Sequence, residues 1–501
     1  LLRFHASPHC SLVRPRLPSA QQAEGGKLMA NQCAPQGHFA EHVSAGHRAL
    51  LQPPPVDMVK IGARRWFLQT GMAGMAGLSL PDLLRRRAQA APQAKPSRKS
   101  VVLFWLSGGP SHLDTWDPKP NAPVEVRGPF ESIGTKVPGV RFCEHLPLQA
   151  SIMDRLAVIR AVDCRDSNDH HCAVMQSGNS QALKDLKPSF AGPLEGRYPS
   201  MGSIAAKFRG ANDRQMPAFI GMAEPNDSLW NADIWRSGHL GTAYDPIRET
   251  DLIGRLDMPK GVSVPRAQDR DQLRRQFDRL RSELDTGDTM ARVDQYDRQA
   301  LDMVLSGKAR EAVEIHREPD RVRDAYGRDS FGEKALLARR LVEAGVTFVV
   351  VSGRFGVFDN HGDDVVWGGL LKGLKPLYPS VDRCLYALIT DLESRGLLDS
   401  TLVLMMGEFG RSPQISPTGG RTHWTNCMSV VVAGGGLTHG QVIGSTDDKG
   451  ADLKAGRVIP ADIAATVFRH LEIDLSAQWT DHEGRPHPIV ADGGRPIREL
   501  T

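Results

Sequence analysis

Val101-Val-Leu-Phe-Trp-Leu106 is six apolar residues in succession, and Ser107-Gly108-Gly109-Pro110-Ser111-His112-Leu113-Asp114 follows directly. An apolar run without polar alternation fits a strand covered on both faces, and a glycine-rich polar loop marks its end. The pairing recurs at Leu156 to Val162 before Asp163, Val346 to Val351 before Ser352-Gly353, Thr401 to Met406 before Gly407, and Met428 to Ala433 before Gly434-Gly435-Gly436. Helical spacing fills the intervals: Leu337, Leu341 and Ala344 before the third run, Val381, Leu385, Leu388 and Leu392 before the fourth, and Ile463, Val467 and Leu471 after Pro460. This alternation predicts a three-layer α/β/α fold with a mostly parallel central sheet, the loops after all five strands lying on one edge.

Outward from this frame the texture changes. Between about residues 262 and 323, Leu273, Phe277, Leu280 and Leu284 form one apolar stripe and Val293, Tyr296, Ala300 and Met303 another, in a highly charged background. They predict two amphipathic helices in a helical insertion that either covers a site or packs on one flank of the sheet. Pro188 to Asp257 is rich in Gly, Pro, Asn and Trp and reads as a long ordered loop. Residues 1–57 lack apolar periodicity and end in Pro53-Pro54-Pro55, an extension expected to precede the true start at Met29 or Met58. From Met58 come Arg64-Arg65, Trp66-Phe67-Leu68, a small apolar stretch through Leu80 and Ala88-Gln89-Ala90, the order of an export signal cleaved after Ala90. Trp66 to Pro81 is too short, and too interrupted by glycine, to span a bilayer comfortably. The paired arginines resemble a twin-arginine signal, which implies export by that machinery to the periplasm or beyond and no stable membrane span after processing.

The whole chain of 501 residues has 62 Lys and Arg, 58 Asp and Glu, and 40 % hydrophobic residues, which suits a soluble protein with a sizeable core. Eleven of the bases and four of the acids fall in residues 1–90, so the remainder is close to neutral. No basic block interleaved with aromatics occurs there, which argues against a nucleic-acid partner. The five cysteines after residue 90 show no paired spacing, and neither a disulfide framework nor a zinc knuckle is indicated.

The loops after the strands are rich in metal-type side chains. They carry His112 and Asp114, then Asp166, Asp169, His170 and His171, then Asp359 and His361, then Glu408 and Arg411, with Arg421 and His423 beyond. Carboxylate and neutral imidazole suit a divalent ion, since one supplies charge and the other a directional lone pair. Asp359, His361 and His423 offer three ligands with a position left open, although each taken singly also fits a capping Asp or a hydrogen-bonded loop His. Arg411 fits either a clamp for a phosphate or sulfate or a partner for Glu408 that fixes the loop. His112 fits a ligand, a general acid or the holder of a turn. Gly434 to Gly436 lack a phosphate-loop context and read as sharp turning.

Six blocks in order complete the pattern: Phe104-Trp-Leu-Ser-Gly-Gly-Pro-Ser-His-Leu-Asp-Thr-Trp-Asp117, Leu337-Ala-Arg-Arg-Leu-Val-Glu-Ala-Gly345, Met406-Gly-Glu-Phe-Gly-Arg-Ser412, Gly420-Arg-Thr-His-Trp424, Ala433-Gly-Gly-Gly436 and Gly440-Gln-Val-Ile-Gly444. Together they resemble the bacterial domain-of-unknown-function family 1501 over about residues 98 to 500. The resemblance implies the alkaline-phosphatase-like fold of phosphatases, sulfatases and cofactor-independent phosphoglycerate mutases. There, two metal ions flank a Ser, Thr or formylglycine nucleophile. Asp359, His361 and His423 follow the order of one metal set, with the first two closer together than in the phosphatases. In the other set, the first-strand Asp is replaced by Ser107-Gly108-Gly109, so Asp114 would serve only by looping back, and the usual Asp-His becomes Glu408-Phe409. Asn168-Asp169-His170-His171 stands where a nucleophile belongs, with only Ser167 nearby.

The reading is therefore an exported protein binding zinc, manganese or calcium through Asp359, His361 and His423, with Asp114 and Glu408 as further ligands. It would hydrolyse a phosphate or sulfate ester, such as a sulfated polysaccharide, through metal-bound water. His170 or His171 would move protons and Arg411 would hold the anion. The alternatives are a non-catalytic protein on the same fold that binds an anionic polysaccharide or a partner, and a structural metal site with no ligand chemistry.

Overall fold

β1 (Ser100–Trp105) is buried along its whole length, as its unbroken apolar run requires. The computed structural model describes residues 97–501 except 168–169, 171, 184–197, 223–235, 256–268, 270–302, 304–305 and 355. The extension, the export signal and both amphipathic stripes lie outside the described residues, apart from Met303.

Among the described residues the main sheet has eight strands. After β1 come β2 (Leu156–Val162), β3 (Phe219–Met222), β4 (Ile247–Arg248), β5 (Phe348–Ser352), β6 (Thr401–Met406), β7 (Met428–Gly434) and β8 (Gln441–Ile443). Their order across the sheet is β8-β2-β7-β6-β1-β5-β3-β4. β1 is central, with Leu103 paired in parallel to Val350 on one side and Leu404 on the other. β7 alone runs against its neighbours β2 and β6.

Alternate residues of each strand serve opposite faces. Val102, Phe104, Val349, Val351, Val403 and Met405 meet one helical layer, made of α3 (Ser330–Ala344) and α4 (Lys375–Ser394). Val101, Leu103, Val350, Leu402 and Leu404 meet the other, made of α1 (Ala173–Ser177), α2 (Met201–Phe208) and α5 (Pro460–His470). The expected stripes are the buried faces: Leu337 and Leu341 on α3, Leu385 and Leu388 on α4, Ile463 and Val467 on α5. Each such side chain stabilises the fold by roughly 1.5–3 kcal/mol. α3 begins where Asp329 accepts the Gly332 N–H at 3.0 Å and ends at Gly345 with φ +112°. The three-layer α/β architecture with a mostly parallel sheet is thus the one observed.

Two expectations change. The stretch read as loop between Pro188 and Asp257 contains α2, β3 and β4, which extend the sheet at one edge. Its short elements carry too few apolar residues to show periodicity, and Gly202 of α2 is there to admit the Phe219 ring, whose Cζ would lie 2.4 Å from an added Cβ. Secondly, because β7 is antiparallel, its following turn lies on the opposite edge from the loops after β1, β2, β5 and β6. Gly435 donates there to the carbonyls of Leu398 and Thr401, both at 2.9 Å, just before and at the start of β6. Gly434 to Gly436 take φ of 68°, 71° and 69°, so they make a turn remote from the site. It is the residues before β7 that reach the site edge, and these include His423.

At the end of α5, His470 Nε2 lies 2.9 Å from the Ser100 carbonyl at the start of β1. Burial lowers its pKa to about 4. The unfolded chain therefore binds the proton more tightly, and stability present above about pH 6.5 is lost as pH falls towards 4. The loss amounts to about 3 kcal/mol. Chemical denaturation across this range should show that slope in the native chain and a flatter one in His470→Gln.

Candidate metal centre

Glycine opens the site. Gly108, just after β1, has φ +110°, and a Cβ there would stand 2.5 Å from the Asp359 backbone nitrogen. The loops after β1 and β5 pass that closely, joined by the Phe358 N–H donating to the Ser107 carbonyl at 3.0 Å. Gly108 N–H also donates to Glu408 Oε1 at 2.7 Å, which ties in the loop after β6.

Two buried arginines lash these loops together. Arg411 donates from Nε to the Gly109 carbonyl at 2.8 Å, from Nη1 to the Arg421 carbonyl at 3.0 Å, and from Nη2 to the Gly108 carbonyl and to Asp359 Oδ1, the latter at 2.6 Å. Arg421 holds both oxygens of Asp114, at 2.6 and 3.1 Å, and reaches the carbonyls of Val126, Ser412 and Pro413. Its own N–H donates to the Asn360 carbonyl at 2.9 Å, between the two candidate ligands of that loop. A two-residue antiparallel ladder then sets His423 opposite Arg411. The fixed guanidinium forks make this a rigid frame.

Within the frame, His170, Asp359, His361 and His423 each offer a donor atom, all four within 4.8 Å of one another. His361 Nε2 lies 2.8 Å from Asp359 Oδ1 and 2.9 Å from His423 Nε2, and His423 Nε2 lies 3.2 Å from the same oxygen. Ligand atoms of a tetrahedral zinc, at 2.0–2.1 Å from the ion, stand about 3.3 Å apart. Two nitrogens and a carboxylate oxygen facing one another this closely fit that chemistry. His170 stands on the far side, Nε2 3.3 Å from Asp359 Oδ2 and Nδ1 3.0 Å from Glu408 Oε1. The Phe409 ring lies under the imidazoles, 4.6 Å from His423 and 5.4 Å from His170 between centroids.

Burial would raise the Asp359 pKa, yet hydrogen bonds from His170, His423 and Arg411 hold it far below the carboxylate range. Burial lowers His361, with Asp359 opposing and Arg411 adding to the effect, which keeps the imidazole neutral and able to ligate. His170 is the opposite case: burial disfavours its charge, but hydrogen bonds to Asp359 and Glu408 prevail and raise it to about 9.

The predicted residues thus separate. Asp359, His361 and His423 converge, and His170 joins them. Asp114, expected as a ligand, is instead engaged at both oxygens by Arg421, because a buried guanidinium needs a counter-charge. Glu408 meets the cluster through His170 rather than as one of the four donors. Arg411, expected to hold the anion or to pair with Glu408, pairs with Asp359, is held by the Gly108, Gly109 and Arg421 carbonyls, and brings Nη1 within 3.4 Å of His361 Nε2. His112 lies buried with Nε2 2.9 Å from the Gly450 carbonyl, a structural position. His171 falls outside the described residues. The role of Arg421 was not legible beforehand; its place two residues before His423 was the only signal.

The profile described as "Protein of unknown function (DUF1501)" matches residues 98–501. No curated protein matches the chain. Among solved structures, PsFucS1 sulfatase from Pseudoalteromonas sp. is similar at 13 % identity, covering 76 % of this chain and 69 % of that one with a TM-score of 0.35. Phosphonate monoester hydrolase of Agrobacterium radiobacter gives 12 %, 80 %, 77 % and 0.35 for the same quantities. Alkaline phosphatase from the Antarctic bacterium TAB5 gives 12 %, 76 %, 99 % and 0.32.

Proposed function

The chain belongs to the DUF1501 family, whose description names no activity, and for this member we propose a divalent-metal-dependent hydrolase of phosphate or sulfate esters, exported through a twin-arginine-type signal. The observation that carries the reading is the convergence of Asp359, His361 and His423 beside His170 in one half-buried cluster. Asp359 Oδ1 and the two Nε2 atoms would hold the ion. When bound, it supplies Lewis acidity towards the ester and an acidified water.

The remaining work falls to side chains of this chain. Glu408 orients His170 through Nδ1, which directs Nε2 towards Asp359 Oδ2. Flanked by two carboxylates, His170 holds a proton at Nε2 that it can release to a departing alkoxide. Arg411 positions Asp359 and leaves anion binding to other groups. A serine nucleophile is not required: Ser111 Oγ is committed to Asp114, and Ser167 is fully buried.

Elemental analysis of the purified full chain, paired with turnover of chromogenic aryl phosphates and sulfates, tests this reading. Bound divalent ion is expected, with turnover lost to a chelator and restored by zinc or manganese. Anion binding without turnover in the loaded protein would favour the non-catalytic alternative. Protein recovered outside the cytoplasm is expected to begin at Ala91 by N-terminal sequencing; residue 58 still in place would exclude the cleavage.

A further inference from the structure

The loop that carries Asp359 and His361 also fixes a cation and an apolar rim that the site's construction does not use. Arg354, just after β5, is exposed and has no ion-pair partner among the described residues. Its guanidinium carbon lies 4.9 Å from the centroid of the Trp367 ring. Trp367 is itself pinned. Its carbonyl accepts from Asn360 Nδ2 at 3.0 Å, and Asn360 stands between Asp359 and His361. A Cβ added at Gly356 would lie 2.8 Å from the indole nitrogen, so the chain that leads to Asp359 packs on the ring. The platform under Arg354 is therefore built into the ligand-bearing loop.

On the segment that carries Trp367, Val366 is 83 % exposed, Leu371 53 % and Val365 41 %. These are three of the five large hydrophobic side chains exposed among the described residues, gathered within seven positions. Exposed hydrophobics scattered singly are ordinary, whereas several exposed together on one segment are characteristic of a contact surface.

We propose that Arg354 and the Val365, Val366 and Leu371 rim form the substrate-recognition subsite, Arg354 binding oxygens of the sulfate or phosphate group and the rim receiving an alkyl or aryl leaving part. The preferred ester is then an amphiphilic monoester and not a sulfated polysaccharide. This rests on the hydrolase reading above and gives it a substrate class. Arg411 cannot serve the anion in this way, since carbonyls and Asp359 already occupy its nitrogens. Arg354 has an open face and an aromatic support that keeps its fork oriented.

Calorimetric titration of the full chain with alkanesulfonates from butane to octane tests the subsite without turnover, because a C–S bond is not an ester. Affinity is expected to rise about twofold per methylene, less than the factor of about four for complete burial. Val366→Ser should flatten that rise. Arg354→Gln should weaken every member about tenfold, and Arg354→Lys should recover part of the loss. Affinity independent of chain length, a sulfated polysaccharide binding more tightly than octanesulfonate, binding confined to anionic vesicles, or Val366→Ser and Arg354→Gln both behaving as the native chain would overturn the proposal. A chain-length gradient in protein that neither holds metal nor turns over esters would keep the subsite and reject the hydrolase. Ester turnover without the gradient would do the reverse.

Discussion

The His361→Ala, His423→Ala double variant is expected to emerge from purification without stoichiometric metal and without ester turnover. Both Nε2 atoms face Asp359 Oδ1 and each other within 3.2 Å, so one cation would draw on all three at once. Removing both imidazoles leaves Asp359, which already accepts from Arg411, and His170, which is engaged by Glu408. Changes to outer partners of metal ligands cost 10–100-fold in affinity, so deleting two direct donors should exceed about 100-fold. Neither histidine is fully buried, and Arg411 and Arg421 keep their carbonyl and carboxylate partners without the two imidazoles, so the fold should survive. Metal content by elemental analysis, with His482→Ala as a control on an exposed histidine of the same chain, reads the outcome. Full metal occupancy in the double variant would place the ion elsewhere.

The second large effect concerns stability. Asp114→Asn is expected to lower folding stability by about 3–5 kcal/mol, because it strands the Arg421 charge in a buried setting. Both side chains are at most 1 % exposed, and Arg421 also supports the loop carrying Asn360. The partner change Arg421→Met should cost a similar amount, while the Asp114→Asn, Arg421→Met pair should cost less than the two singles together. Denaturation midpoints of the four proteins measure this. A neutral Asp114→Asn would mean that the pair adds nothing to the frame.

The strands that are long and wholly apolar could be read from the chain alone, because burial on both faces leaves no room for polar alternation, and β1, β2, β5, β6 and β7 are all in one sheet. The apolar stripes of α3, α4 and α5 were equally legible at helical spacing, and Asp359, His361 and His423 stood out as residue types with few reasons to recur after strands, which the fold brings together. The sequence did not reveal β3 and β4, with four and two residues, since a period cannot be read from so few positions. Nor did it reveal that β7 runs antiparallel. Strand direction depends on which edge the connection returns to, and that is settled by packing of the whole sheet.

The division of labour among charged residues was also beyond local reading. Asp114 and Asp359 look alike in the chain, each following a strand in a glycine-rich loop. Asp114 neutralises Arg421 while Asp359 faces two imidazoles because the folded chain brings different partners to each. A carboxylate's role is set by which charges burial forces next to it, and those partners lie 307 and 64 residues away for Arg421 and His423 respectively.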